Sequence, residues 1–127
     1  MGFLYGVDHI NFTIDDGPEA FEQARAFYGG VLDLEPLGRT THAESPTGAW
    51  YLCGAQQVHL SAERNAARSN RASRRHAGFM VKGLDALRAR LMAAGFEVQV
   101  GSPLPRQKRF FVRDPFGNRL EFLEQTG

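Results

Sequence analysis

Cysteine is almost missing from this chain of 127 residues, where Cys53 stands alone. An internal disulfide is thereby excluded, and a reducing compartment suits the composition. Cys53 lies in a strand-like run, and it reads as a buried, inert thiol rather than a nucleophile. Long apolar runs are missing too. No stretch is long and apolar enough to span a bilayer. The start, Met1-Gly2-Phe3-Leu4-Tyr5-Gly6, lacks the charged and apolar regions of a secretory signal. Nor is there an excess of either charge: 15 Lys and Arg face 14 Asp and Glu, a net +1. Such a balance gives no global pull toward nucleic acid or a membrane surface. The expectation is a cytoplasmic protein with neither kind of partner.

What is present is ordinary for a globular domain: a hydrophobic share of 43% and a charged share of 23%. The length suits one domain with a useful core. The clearest local signal is at the end of the chain. Two apolar runs flank Asp114-Pro115-Phe116-Gly117-Asn118, where proline presets the first turn dihedral and glycine accepts a positive φ. This is a hairpin over 109–124. In its second strand Leu120 and Phe122 share one face, and Arg119, Glu121 and Leu123 the other. Glu121 is thus a carboxylate in mid-strand, which needs a partner, a metal or water.

Earlier in the chain, residues 7–14 alternate, with Ile10, Phe12 and Ile14 opposite His9, Asn11 and Thr13. Asp15-Asp16-Gly17 breaks the strand, Pro18 fits a first helical position and Glu19 favours the helix N-terminus. Phe21, Ala24 and Tyr28 follow helical spacing, and Gly29-Gly30 is expected to end that helix. Leu34 to Arg39 is short and compatible with a strand, and Thr40 to Gly48 reads as a polar turn or loop. Ala49 to Cys53 and Gln57 to Ala62 are strands, the latter with Val58 and Leu60 opposing Gln57, His59 and Ser61. Arg64 to Arg75 carries Arg64, Arg68, Arg71, Arg74 and Arg75, with no apolar period. It reads as a solvated connector; a basic lip for an anionic ligand or partner chain is the sharper alternative. Then the grammar restarts. Arg75 to Val81 is a strand with His76, Gly78 and Met80 on one face. Leu84, Leu87 and Leu91 form a helical stripe closed by Gly95. Phe96 to Val100 is a strand and Gly101 to Gln107 a loop.

The order is strand, helix and three strands, given twice, with module one at 1–63, a basic linker at 64–74 and module two at 75–127. His9 and His76 hold the same place in the two halves, 67 residues apart. His59 and Glu121 also correspond, each in the last strand of its half. Such a repeat changes the whole fold assignment. All four lie on the polar side of alternating strands. If both helices pack on one side of their sheets, the polar sides form a concave surface on which His9, His59, His76 and Glu121 converge. Imidazole and carboxylate are the usual ligands of Zn, Fe, Ni or Mn, and two histidines with one carboxylate leave open positions for substrate oxygens. A lone strand histidine is more often a hydrogen-bonded structural residue. His42, the fourth, falls in the polar loop and reads as uninvolved. Asp8, Asp15, Asp16, Asp114 and Glu124 read as turn or surface groups.

These features carry a family resemblance. The Asp8-His9-Ile10 start, Ala26-Phe27-Tyr28 ahead of Val31-Leu32, the Arg75-His76 restart and the closing run from Arg113 to Glu121 resemble the vicinal oxygen chelate superfamily. That group includes glyoxalase I, extradiol dioxygenases, fosfomycin-resistance enzymes and bleomycin-binding proteins. The resemblance covers almost the whole chain and implies an α+β fold. In it, two βαβββ modules form a curved, incompletely closed eight-strand mixed sheet with the helices outside. It implies a divalent metal that binds vicinal oxygens of a small-molecule substrate, and it implies a homodimer. His9, His76 and Glu121 match the two-histidine, one-carboxylate set of the dioxygenase and fosfomycin branches. Position 59, where glyoxalases place a second carboxylate, is histidine here. His59 is then a fourth ligand or a general base. The expected function is a metal-dependent enzyme with lyase, isomerase or dioxygenase chemistry, with Glu121 and His59 catalytic. Asn11, Gln57 and Ser61 are candidates for orienting the substrate, Met80 and Arg119 for the pocket wall, and Arg109 for meeting an anionic group of the ligand. The competing reading is a metal-free binding module of the bleomycin-resistance type, supported by ten phenylalanines. A degenerate scaffold, its four polar residues bonded to one another or to water, is the third.

Overall fold

The computed structural model describes residues 2–37 and 48–127. The chain divides into two compact units, Met1–Arg64 and Asn65–Gly127. Each unit forms its own four-stranded mixed sheet, and the two sheets share one topology. In the first, β1 (His9–Ile14), β2 (Glu35–Pro36), β3 (Gly48–Cys53) and β4 (Gln56–Ala62) are ordered β1-β4-β3-β2. In the second, β5 (His76–Met80), β6 (Gln99–Val100), β7 (Gln107–Arg113) and β8 (Arg119–Gln125) are ordered β5-β8-β7-β6. First and last strands run parallel in both units, and the other pairs are antiparallel. A parallel pair cannot be closed by a tight turn, so each unit needs its crossover helix. The fold is the expected α+β pair of βαβββ modules.

Alternation decides which side of each sheet is packed. Phe12, Ile14, Val58 and Leu60 are buried on one face of the first sheet, where Ala20 and Ala24 of α1 (Pro18–Ala24) are also buried. Tyr28 is fully buried among rings, 6.0 Å from Phe12, 5.0 Å from Phe27 and 6.3 Å from Tyr51. In the second unit Phe110, Val112, Leu120 and Phe122 take the equivalent face, and Leu84 and Leu91 of α3 (Leu84–Ala93) are buried. Burial of this apolar surface is the main favourable term in folding. It also turns the odd-numbered positions of β1, β4 and β8 away from the core.

Several segments depart from the sequence expectation. Gly29-Gly30 does not end the first helix. The chain continues from α1 as a π-helical segment, Arg25–Val31, with Leu32 N–H donating to Phe27 O at 2.9 Å. The stop comes at Asp33, with φ 55°, a residue type that tolerates the left-handed region. Gly29 instead allows close approach: a Cβ there would lie 3.4 Å from the Tyr51 ring. The basic stretch expected to be a solvated connector carries a short helix, α2 (Ala66–Arg71). Ala66 and Asn70, one turn apart, are its buried residues, and the Asn70 amide donates to Phe116 O at 3.1 Å. Helix propensity was adequate there, but a buried face of alanine and asparagine leaves no apolar period to read. Only Gln99–Val100 of the expected 96–100 strand pairs; among the described residues of 34–39 the paired strand is Glu35–Pro36, and Leu37 N–H donates to Trp50 O at 3.0 Å. The rest of the expected 40–48 loop up to residue 47, including His42, lies outside the described residues. Among the described residues no helix is long and apolar enough to cross a membrane.

Two local devices lock the second unit. Asp114 Oδ1 accepts from the backbone N–H of Phe116 and Asn118, and Oδ2 from the Asn118 amide, which ties the closing turn. Glu124, expected to be a turn or surface group, instead caps α3. Its carboxylate accepts from Gly83 N–H and Leu84 N–H, both at 3.0 Å. These bonds hold the Glu124 carboxyl below its ordinary value of 4.5, with the Leu84 bond the larger cause. A lowered folded pKa adds stability that is complete above that ordinary value and is lost as pH falls through the folded one. The stability gap between the wild type and Glu124→Gln, measured by urea unfolding, is therefore expected to be constant at neutral pH and to close below about pH 4.5. A gap that widens on acidification would contradict the cap. Gly117 takes φ 80°, and a Cβ there would meet Arg71 Cγ at 2.7 Å and Arg71 N at 3.0 Å. Gly117→Ala is expected to cost about 2 kcal/mol or more, read as a lower urea midpoint.

Candidate functional site

The away-from-core face of each sheet carries a cluster. In the first unit, parallel register sets His9 opposite Gln57 and Asn11 opposite His59. Antiparallel register sets Trp50 opposite His59. Three rings consequently stack: Trp50 on His59 at 3.9 Å and 2°, and His59 on His9 at 4.1 Å and 18°. His59 is only 8% exposed, and its Nε2–H donates to Gln57 Oε1 at 2.8 Å. Nδ1 of His9 donates to Asp8 Oδ2 at 3.0 Å. That bond selects the neutral tautomer whose Nε2 carries the lone pair. Asn11 donates to Ser61 Oγ at 2.9 Å, so two of the expected substrate residues bond each other across the strands.

The second unit repeats the layout with charge. His76 is opposite Arg119, Gly78 opposite Glu121, and Phe111 opposite Glu121. His76 Nε2 lies 3.1 Å from Glu121 Oε1, and Arg109 Nη1 donates to Glu121 Oε2 at 3.0 Å. His76 Nδ1 lies 3.2 Å from Arg74 O. Both neighbours of the His76 ring are acceptors. With Nδ1–H on the carbonyl, the neutral ring turns an Nε2 lone pair toward a carboxylate oxygen. An Nε2–H donating to Oε1, or a cation held between the two atoms, answers the carboxylate oxygen. The donor chemistry of this pair therefore fits a divalent metal. Gly78 leaves room beside the carboxylate, since a Cβ there would lie 3.7 Å from Oε1. Arg119 lies over the Phe111 ring at 3.9 Å, and His76 meets that ring edge-on at 5.3 Å.

The expected residues thus fall into a His9–His59 pair and a His76–Glu121 pair. Among the described residues no group of three or more His, Cys, Asp or Glu gathers closely enough to hold a metal ion. Met80 is 83% exposed at the end of β5. Cys53 is half-buried at the end of β3, and burial pushes its thiol pKa up, away from nucleophile chemistry. One participant, Trp50, is not among the sequence candidates, and another, Arg109, has a different partner from the expected one. Trp50 is placed on His59 by register alone. Arg109, expected to meet an anionic group of a ligand, meets Glu121 twelve residues on. The alternation of β7 and β8 around a tight turn was the signal that could have paired them. Glu121 and Arg109 side chains are 11% and 19% exposed, so neither charge is well solvated. Arg109→Met is expected to lower the unfolding free energy by about 3 kcal/mol, because it strips a buried carboxylate of its cation. A denaturant midpoint unchanged from the wild type would contradict that account.

The comparisons with known proteins bear on the family and the fold. Residues 6–122 match the model of the Glyoxalase/Bleomycin resistance protein/Dioxygenase superfamily. A comparison with curated proteins gives no match. Among solved structures, a glyoxalase family protein from Bacillus anthracis is 36% identical, over 99% of both chains, with a TM-score of 0.85. A glyoxalase/dioxygenase from Nostoc punctiforme is 19% identical over 99% of this chain and 94% of that one, with a TM-score of 0.78. The fosfomycin resistance protein FosX from Listeria monocytogenes, solved with Mn(II) and sulfate, is 16% identical. It aligns over 98% of this chain and 92% of its own, with a TM-score of 0.68. The chain belongs to the glyoxalase/bleomycin resistance protein/dioxygenase superfamily.

Proposed function

We propose that this protein is a divalent-metal enzyme acting on a small molecule with vicinal oxygens, and that His9, His76 and Glu121 hold the metal. The observation that carries the reading is the His76–Glu121 pair. Two donor atoms stand 3.1 Å apart, and the far end of each group is already tied, to Arg74 O and to Arg109. Such outer partners orient metal ligands and set the histidine tautomer. His9 has the same arrangement, with Nδ1 on Asp8 and Nε2 as the remaining donor. The superfamily supplies the precedent, since FosX was solved with Mn(II). Fe, Zn, Ni and Mn all accept this donor type.

When bound, the metal supplies Lewis-acid polarisation of adjacent substrate oxygens and a template that orients them. The chain supplies the rest. Glu121 would offer Oε1 to the metal while Arg109 keeps Oε2. Glu121 is the candidate for moving a substrate proton. Arg119, Gln57, Asn11, Ser61 and Met80 are candidates for the substrate wall. Lyase or isomerase chemistry and ring-cleaving oxygenation both suit two histidines and one carboxylate. We place the protein in the cytoplasm as a homodimer.

The Arg109–Glu121 ion pair also favours a second reading. Glu121 already has a cation, so a metal-free binding module for an apolar or aromatic small molecule is coherent. Equilibrium dialysis against Mn(II), followed by elemental analysis, separates the two. About one Mn(II) per chain is expected for the wild type, and none for His76→Ala or Glu121→Gln, with circular dichroism unchanged. Unchanged metal content in those variants would overturn the ligand assignment, and none in the wild type would overturn the enzyme proposal in favour of the binding module.

A further inference from the structure

We propose that His59 is a positioning residue that holds His9 in place and takes no coordination bond of its own. The inference rests on the metal-centre reading above and assigns His59 neither of the roles expected for it, ligand or base. Its ring is covered on both faces, by the Trp50 indole at 3.9 Å and by the His9 imidazole at 4.1 Å. Its Nε2–H is given to Gln57 at 2.8 Å. A ring held face-on by two neighbours and edge-on by an amide is fixed in all its rotations.

His9 needs such support. Its side chain is 46% exposed, and its partner Asp8 is 88% exposed. A pair that open to solvent orders a side chain weakly. The stack does more: Trp50 and His59 are cross-strand neighbours on a hydrogen-bonded ladder, so the platform under His9 is fixed by the sheet itself. With one face of His9 seated on that platform and Nδ1 on Asp8, Nε2 is aimed without help from the metal.

The two roles respond differently to substitution. His59→Phe keeps a flat ring between Trp50 and His9 and removes both nitrogens. His59→Ala removes the ring as well. Co(II) is the probe, because its visible absorption reports the ligand set; uptake is measured by equilibrium dialysis. Trp50, the sole tryptophan, reports on the stack through its emission. His59→Phe is expected to keep one Co(II) per chain, the wild-type visible spectrum and an affinity within about threefold. His59→Ala is expected to keep the spectrum but to bind about 10–100-fold more weakly, the usual effect of losing an outer partner. Its Trp50 emission should shift to longer wavelength. His9→Ala is expected to lose stoichiometric binding. If His59→Phe loses Co(II) as His9→Ala does, or changes the visible spectrum, His59 is a ligand and the inference fails by itself. His59→Tyr, another flat ring, gives the same discrimination should the phenylalanine variant not fold. A wild type that takes up no Co(II) overturns the metal-centre reading and this inference with it.

Discussion

Parallel pairing of the first and last strand is the constraint from which the rest of each module follows. It forces a crossover through a helix, which covers one face of the sheet. It also fixes which residues from opposite ends of a module become neighbours. In the first unit β1 and β4 bring His9 and His59 into ring contact, although 50 residues separate them. In the second, β5 and β8 bring His76 to Glu121 across 45 residues. A register slip of one residue in either pair would send these side chains into the apolar core. The buried rows, Phe12 and Ile14 against Val58 and Leu60, and Leu120 and Phe122 beside Phe110 and Val112, hold the register. Packing on one face thus sets the chemistry on the other.

How much of this was legible in the sequence depended on range. The period-two rule put His9, His59, His76 and Glu121 on the polar side of their strands, and the structure has each of them facing away from the core. The turn at Asp114-Pro115-Phe116-Gly117-Asn118 was legible because its chemistry is local: one carboxylate, one proline and one glycine within five residues. Contacts set by tertiary register were not. Glu124 looked like a surface acid, yet it is delivered to the start of α3 from the last strand, 40 residues away. Nothing near Gly83 announces a missing cap, so the signal for that role lies outside any local window. The π-helical segment was hidden for another reason. Two glycines normally mark a stop, but glycine serves equally where a ring must lie close to the backbone, and at Gly29 the ring of Tyr51 does so.

The two modules use one backbone plan for different electrostatics. Residues 59 and 121 hold corresponding positions on the last strand, and each faces an aromatic residue across an antiparallel ladder, Trp50 in one and Phe111 in the other. In the first unit the last-strand residue is an imidazole. It can be covered by rings on both faces and satisfied by a neutral amide, so the cluster needs no counter-charge. In the second it is a carboxylate, which at 11% side-chain exposure cannot stay unpaired. The pairing then falls to Arg109, whose Nε–H also donates to Ser102 O at 3.2 Å and ties the charge to the preceding loop. One residue difference between equivalent sites has therefore drawn in a different set of neighbours.

The same difference bears on the chemistry proposed for the site. With histidine at 59, Glu121 is the one carboxylate of the proposed ligand set, and Arg109 already answers part of its charge. A divalent cation held by such a set is neutralised less than one held by two carboxylates, and it polarises a bound oxygen more strongly. The trade is on the base side. A carboxylate at 59 could accept a substrate proton directly, whereas an imidazole packed between two rings with Nε2 on Gln57 is poorly placed to do so. In the proposed chemistry the proton would move at Glu121, whose Oε2 is held by Arg109 while Oε1 faces His76. Under the proposed metal reading, the arrangement would suit reactions driven by polarising an oxygen better than those that need two carboxylates to shuttle a proton.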